Sequence, residues 1–518
     1  MNDIVLVNIG SHFTDKFLPP LGILYLASYL ESKGFKVICK DTQTIPFINK
    51  RQYKNTVLKY IRNPAKTFGF SCSTRDLCAA IQFAKEIKTD EKIIIFGGPG
   101  AAGIEEEILR MAPFIDIVVV GEGELTLAEI MQHIKGNNSF NDIKGVVYRI
   151  NNHIIRNPPR ERIRHLDILP IPAYSKLDIK NYRAFNIITQ RGCPYRCTYC
   201  SESSFWGHAL TQRSINSVID EILLLKQKYN TKQFFIADDI FTTSRKRIYK
   251  FCNGLKKLNL NIEWICNSRI GLIDEKIMRR MADNGCINIH FGVESGSNRI
   301  LKDIRKEFTV EEAEATIDKA CKIFHRVVLF YIWGYPSETL KDFIDTLTSI
   351  YRLMNKHNNL NIILSRLEPF TNTCIYKQNA DKVKLISNKK RLLLSPASSP
   401  LPKCALNYPK IHPYYYFTTY SIKRKEALLN YCLFRIRSLI RERLRNAKKR
   451  CIASCSIKLT KNHIISKYKI VDNLAGEYFK RIISKSDNQK DLIQNLKLYD
   501  TYIKEIIGDK SFYKAWLP

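Results

Sequence analysis

The sequence has no run of eighteen apolar residues, so no segment reads as a membrane-spanning helix. It also lacks a leader pattern. Asp3 passes straight into an apolar run at 4–9, with no basic region or small-residue cleavage site, and a cytoplasmic chain is the expectation. Carboxylates are in the minority, 49 against 83 Lys and Arg, for a formal charge of +34. Apolar residues at 45% and charged residues at 25% exclude a wholly disordered or fibrous chain. At roughly 100–200 residues per domain, 518 residues make two to four domains. In a reducing compartment the fifteen cysteines are not a disulfide framework, and most stand singly in apolar or helical patterns.

The positive excess is uneven. Residues 381–518 hold 30 basic and 10 acidic side chains, about +20 of the +34. Such a field attracts nucleic acid, an anionic lipid surface or a polyanion, or is merely a solvated surface; charge alone names no partner.

From residue 1 to about 149 strand and helix patterns alternate. Apolar runs at 4–9, 35–38, 67–72, 92–96 and 115–120 predict five strands. Helical patterns at 21–30, 77–87 and 105–111 lie between them, the first closed by Gly34. This order predicts a doubly wound, flavodoxin- or Rossmann-like α/β domain over 1–150. Gly97-Gly98-Pro99-Gly100 and Gly121-Glu122-Gly123-Glu124 each follow a strand. Ligands of open α/β sheets bind beyond the C-terminal strand ends, so these loops are either a ligand site or simply tight turns. Asn-Asn within 144–155 predicts a hairpin, and a proline-rich linker spans 151–183.

A second series starts at 184. Strands are predicted at 185–189, 233–237, 262–266, 287–291, 327–332 and 362–367, with helices at 215–227, 244–258, 274–283, 310–323 and 340–353. Six βα units fall short of a closed eight-unit barrel and fit a partial (β/α)6 barrel over 184–375. After about residue 374 the strand rhythm stops, and 376–518 reads as basic and mainly helical.

Directly after the first strand of the second series stands Cys193-Pro194-Tyr195-Arg196-Cys197-Thr198-Tyr199-Cys200. Three thiols spaced C-x3-C-x2-C on one polar loop can converge on one inorganic centre. Closed structural zinc and ordinary electron-transfer clusters take four ligands. A [4Fe-4S] cluster held by three leaves one iron open to a small molecule.

This loop, with an aromatic at Tyr199 before the last cysteine, resembles the signature of the radical S-adenosylmethionine (SAM) superfamily. Phe234-Phe235-Ile236-Ala237-Asp238-Asp239, Glu263-Trp264 with Arg269, Phe291-Gly292-Val293-Glu294-Ser295 and Gly334-Tyr335-Pro336 resemble that family's motifs at successive strand ends. Pro19-Pro20-Leu21-Gly22-Ile23 with Gly34 and Asp41, then Gly97-Gly98-Pro99 and Gly121-Glu122-Gly123-Glu124, resemble the cobalamin-binding domain that precedes the barrel in one class. The resemblance spans about residues 1–370.

The resemblance implies three cofactors: a [4Fe-4S] cluster on Cys193, Cys197 and Cys200, S-adenosylmethionine, and cobalamin. The open iron would chelate S-adenosylmethionine, and one electron, from a donor such as flavodoxin or ferredoxin, would cleave it to a 5′-deoxyadenosyl radical. Methylcobalamin would supply a methyl group. Tyr199, Asp238, Asp239, Arg269 and Glu294 are the implied S-adenosylmethionine contacts, although the Asp pair can equally cap a helix. Gly97, Gly98, Gly121, Glu122 and Gly123 are the implied cobalamin contacts. The loop after the first strand lacks the D-x-H-x-x-G pattern of histidine-ligated cobalamin proteins. Cobalamin is therefore expected without imidazole on cobalt, with His12 an ordinary loop residue.

The expected activity is C-methylation of an unactivated carbon in a small-molecule, lipid or peptide substrate. Cobalamin-dependent rearrangement or cyclisation is the alternative, and a nucleic-acid-binding cluster or cobalamin sensor is a third class that leaves the open iron unexplained. Cys451 and Cys455, with Cys404 or Cys432, form a candidate second cluster or an ordinary thiol pair. The basic stretch 422–450 fits a membrane surface or a cap on the barrel, and Tyr414–Tyr416 a base-stacking run or a lid.

Overall fold

A computed structural model describes residues 2–385, apart from 11–17, 46–49, 75, 183 and 369, together with 415–417. In the first series the apolar runs become β1 (Ile4–Ile9), β2 (Val37–Asp41), β3 (Thr67–Cys72), β4 (Ile93–Gly97) and β5 (Ile117–Val119). Between and after them lie α1 (Leu21–Ser32), α2 (Lys50–Ile61), α3 (Leu77–Ile87), α4 (Glu105–Met111) and α5 (Gly123–Gly136). Sequence reading left out α2. Its composition, KRQYKNTVLKYI, gives only a narrow apolar stripe (Val57, Leu58 and Ile61). Gly34 takes φ +85° just past α1, the left-handed stop its position suggests.

The sheet order is β2-β1-β3-β4-β5-β6-β7, where β6 (Val146–Ile150) and β7 (His153–Arg156) form an antiparallel hairpin and the first five strands are parallel. Asn151 and Asn152, at φ 45° and 67°, make the tight turn whose twist matches the strands. The sheet thus continues past residue 150. Helices cover both faces, so β1 is almost wholly buried.

The second sheet is parallel throughout, in the order β15-β14-β13-β12-β11-β8. Its strands are β8 (Phe185–Ile187), β11 (Gln233–Ile236), β12 (Glu263–Ser268), β13 (Cys286–Glu294), β14 (Arg326–Trp333) and β15 (Leu360–Arg366). The connections carry α7 (Ile215–Tyr229), α8 (Arg245–Lys257), α9 (Glu275–Ala282), α10 (Asn298–Asp303), α11 (Val310–Ile323) and α12 (Leu340–Lys356). The edge strands β8 and β15 do not pair, so the six-unit barrel is open. A short antiparallel pair, β9 (Gln190–Arg191) with β10 (Thr211–Gln212), and α6 (Ser201–Phe205) sit between β8 and α7.

The first domain and the barrel share a buried polar joint. Arg213 and Glu221 form an ion pair with both side chains at or below 5% exposure. Tyr174 of the linker donates to Glu221 Oε1 at 2.7 Å, and Arg213 donates to the Tyr25 hydroxyl of α1 at 3.3 Å. A buried charge pair persists only when its remaining valences are met, as here.

The chain divides into two units, residues 1–338 with 359–420 and residues 339–358 with 421–518; of the second only α12 is described. Its N-cap, Thr339, and Asp342 close a reciprocal capping box. The expected stop of strand rhythm near 374 needs correction. After α13 (Cys374–Gln378), β16 (Val383–Leu385) pairs antiparallel with β17 (Tyr415–Phe417), because alternating Val-Lys-Leu and the aromatic run suit a two-stranded ladder. Among the described residues no helix is long and apolar enough to cross a membrane. His12, Tyr414, the cysteines at 404, 432, 451 and 455, and the basic stretch 422–450 lie outside the described residues.

Candidate active site

The chain enters the thiol loop from β9 through Gly192, whose φ of +90° only glycine adopts without strain. A Cβ there would overlap the carbonyl oxygen of Ala209. Cys193 is buried, Cys197 and Cys200 are partly exposed, and all three are free thiols. Backbone bonds pin the loop: Thr198 N–H donates to Ile304 O at 3.2 Å, and Ile375 N–H to Thr198 O at 2.9 Å. Burial above all pushes the Cys193 thiol up to about 12 and raises Cys200 as well. Such sulfurs ionise readily only against a cation. Among the described residues no three His, Cys, Asp or Glu donors converge on the position of a single ion. The three thiolates of a four-iron cluster each bind a different iron and need no such convergence.

Charged side chains ring this loop at the barrel mouth. Arg269, one residue past β12, donates to Cys197 Sγ at 3.5 Å and lies 3.9 Å over the Tyr195 ring. Its other nitrogen donates to the carbonyl of Lys306. At the end of β13 the register with β14 shifts between Gly292 and Glu294, and Glu294 takes φ +72°. That bulge re-aims its carboxylate. Lys306 donates to Glu294 Oε1 and to the Tyr199 hydroxyl, both at 3.4 Å. Gly292 is required beneath them, because a Cβ would overlap Glu294 Oε1. Glu294 Oε2 and the hydroxyl of fully buried Tyr335 have no protein partner. Two orphaned polar atoms beside a three-thiol loop fit a polar ligand seated there. Sequence reading missed Lys306. It sits between Arg305 and Glu307, both at positive φ without being glycine, and nothing in the residue types announces that conformation.

The Asp pair separates. Asp238, almost fully buried, accepts from Thr189 N–H at 2.7 Å, Thr189 Oγ1 at 2.5 Å and Gln190 N–H at 3.1 Å. Its carboxylate is thus spent on bracing the strand that enters the thiol loop. It caps no helix either, since Ser244 caps α8. Asp239 is half-buried. Burial first, then the charges of Glu202 and Asp238, push its carboxyl up to about 7, with Arg162 pulling it back. A carboxyl raised in the fold binds its proton more tightly folded than unfolded, so its contribution is present at low pH and fades as pH climbs from about 4 towards 7. Urea unfolding of the cluster-free chain is therefore expected to show Asp239→Asn gaining on the parent as pH rises across that window; parallel curves would contradict the assignment.

Beyond the C-terminal ends of β3, β4 and β5 opens a cleft with about 990 Å³ of empty volume, part of it open solvent. Gly22, Gly97, Gly98 and Gly121-Glu122-Gly123 line it from the first domain, and Ile188, Arg191, Glu202, Phe205 and Trp206 from the barrel. At Gly121 a Cβ would meet no protein atom within 4 Å, and at Gly22 only Ser71 Oγ. Bare backbone in a wide cleft fits a large flat ligand such as cobalamin. Glu122 contributes backbone only. Its carboxylate accepts from Arg191 Nη1 and from Ile163 N–H, each at 2.8 Å.

Residues 14–131 match the B12 binding domain model and residues 187–350 the radical SAM superfamily model. The uncharacterized methyltransferase PH0819 of Pyrococcus horikoshii is 32% identical over 333 residues, covering 62% of this chain and 71% of that protein. The anaerobic magnesium-protoporphyrin IX monomethyl ester cyclase of Rubrivivax gelatinosus is 26% identical over 406 residues, covering 74% and 70%. The structure of the cobalamin-dependent S-adenosylmethionine radical enzyme OxsB, with aqua-cobalamin and S-adenosylmethionine bound, superposes with a TM-score of 0.70 at 19% identity, covering 96% of this chain and 75% of that one. With a B12-binding domain followed by a radical SAM barrel and a three-thiol loop where the two meet, the chain belongs to the cobalamin-dependent radical SAM family of enzymes.

Proposed function

We propose that this enzyme transfers a methyl group to an unactivated carbon of a small molecule, lipid or peptide. The carrying observation is the abutment of two sites: Glu202, Phe205 and Trp206, which roof the first domain's glycine-lined cleft, follow directly on Cys200 of the thiol loop. Cys193, Cys197 and Cys200 would hold a [4Fe-4S] cluster, and the glycine loops cobalamin. When bound, these groups and S-adenosylmethionine supply a one-electron cleavage and a methyl carrier. The protein's own part is placement. Arg269 and Lys306 set positive charge beside the thiol loop, suited to a carboxylate. Glu294 Oε2 offers an acceptor for an amino or hydroxyl donor, alongside Tyr199, and Asp239 carries a proton near neutral pH.

The domain assignment proposed is 1–150 for cobalamin, 151–183 as linker, 184–375 for the radical chemistry and 376–518 as the basic region. Its electron would come from flavodoxin or ferredoxin. That requirement for a low-potential donor, and an oxygen-labile cluster, suit the cytoplasm. The basic region would meet an anionic membrane surface rather than nucleic acid.

A second reading, radical cyclisation or rearrangement without methyl transfer, is favoured by the likeness to the cyclase. Methyl-labelled S-adenosylmethionine separates them in the anaerobically reconstituted protein. Label in the product supports methylation; an unlabelled, rearranged product supports the second.

A further inference from the structure

Arg191 stands two residues before Cys193, and its guanidinium reaches out of the barrel into the first domain. One nitrogen donates to Glu122 Oε1 at 2.8 Å and another to Glu124 Oε1 at 2.5 Å. All three side chains are at most 7% exposed. The fork lies between the Tyr25 ring, 5.2 Å away, and the Trp206 ring, 5.9 Å away. Its carbonyl oxygen in turn accepts from Arg162 at 3.2 Å. Glu122 also takes Ile163 N–H, so the acidic side of the fork has no slack.

Glu122 and Glu124 belong to the loop whose Gly121–Gly123 backbone lines the cleft. A ligand pressing on that backbone moves the two carboxylates. They can follow only by carrying the guanidinium, which the planar bidentate geometry holds at two points. Arg191 is joined through a single glycine to Cys193. The lever from cleft to thiol loop is therefore one ion-pair fork and one residue long.

We propose that Arg191 is a positioning residue that couples the cleft to the thiol loop, so that each site binds its cofactor more tightly when the other is filled. The inference rests on the proposed assignment of cobalamin to the cleft and the cluster to the thiols. Linkage makes the coupling reciprocal, and its usual size is about 5–150-fold.

The test measures the dissociation constant of hydroxocobalamin, anaerobically, for the full chain with and without its cluster, and the cluster's electron paramagnetic resonance spectrum with and without hydroxocobalamin. The parent is expected to bind roughly tenfold more tightly once the cluster is installed. Its reduced-cluster spectrum should shift on cobalamin binding. Arg191→Lys, which keeps the charge but loses the two-point grip, should bring the ratio close to one and abolish the spectral shift. Glu124→Gln, isosteric and still an acceptor, should reduce both and serves if Arg191→Lys fails to fold. A ratio near one in the parent, or a parent-like ratio in the variants, overturns the coupling. No hydroxocobalamin binding in any form would instead overturn the cofactor assignment beneath it.

Discussion

Cys197→Ala is expected to abolish formation of 5′-deoxyadenosine from S-adenosylmethionine. A reaction that depends wholly on its metal centre loses the whole enzymatic acceleration with it, at least about a millionfold by the lower end of the usual range. Cys197 is the informative one of the three. It is partly exposed, it accepts from Arg269 at 3.5 Å, and no other thiol on the loop can take its place without moving the Thr198 and Ile375 backbone bonds. Burial of the methyl group costs the fold little, so the variant should remain folded and still bind hydroxocobalamin, since the cleft is built elsewhere. Iron per chain and product formation measure the effect. Parent-level 5′-deoxyadenosine from this variant would remove the thiol loop from the chemistry.

Gly192→Ala should damage the same loop through the backbone alone. A left-handed conformation forced on a residue with a Cβ costs about 1–3 kcal/mol by itself. The new carbon also overlaps Ala209 O, a backbone atom that cannot swing aside as a side chain would. Either the loop shifts or β9 parts from β10, and both outcomes displace Cys193. We expect a lower thermal midpoint and substoichiometric iron, with the seven-stranded sheet intact by circular dichroism. Gly121→Ala is the contrast: its Cβ meets no protein atom, so iron loading should be unchanged while the cleft narrows. A Gly192→Ala chain that loads iron normally would show the loop to be more forgiving than its geometry indicates.

The alternation of apolar runs made both sheets legible in sequence, because strands covered on both faces read as short unbroken apolar segments. Strand edges moved by one to three residues, as with β2, which begins at Val37 rather than 35 and runs to Asp41. The thiol loop was legible because spacing within one loop is local information. The rest of the site was not, and the reasons are specific. Glu122 sits in a loop that reads as a ligand site, yet its carboxylate answers to Arg191, 69 positions away. Asp238 appears poised at the mouth, yet its oxygens are consumed by Thr189 and Gln190. Lys306 arrives through two non-glycine residues in left-handed conformation. Pairings across the fold, and backbone states that residue type does not encode, are settled only in three dimensions.

The bulge at Glu294 has one further consequence. A glutamate at φ +72° is held in a conformation that glycine would adopt freely. Glycine at 294 would thus relieve the backbone while deleting the carboxylate and stranding the Lys306 ammonium. Comparing melting curves for Glu294→Gly and Glu294→Gln, which keeps the strained backbone and side-chain volume, would separate the backbone cost of this position from the worth of its charge. The difference is a direct reading of what the molecule forgoes in durability to keep an acid at that spot.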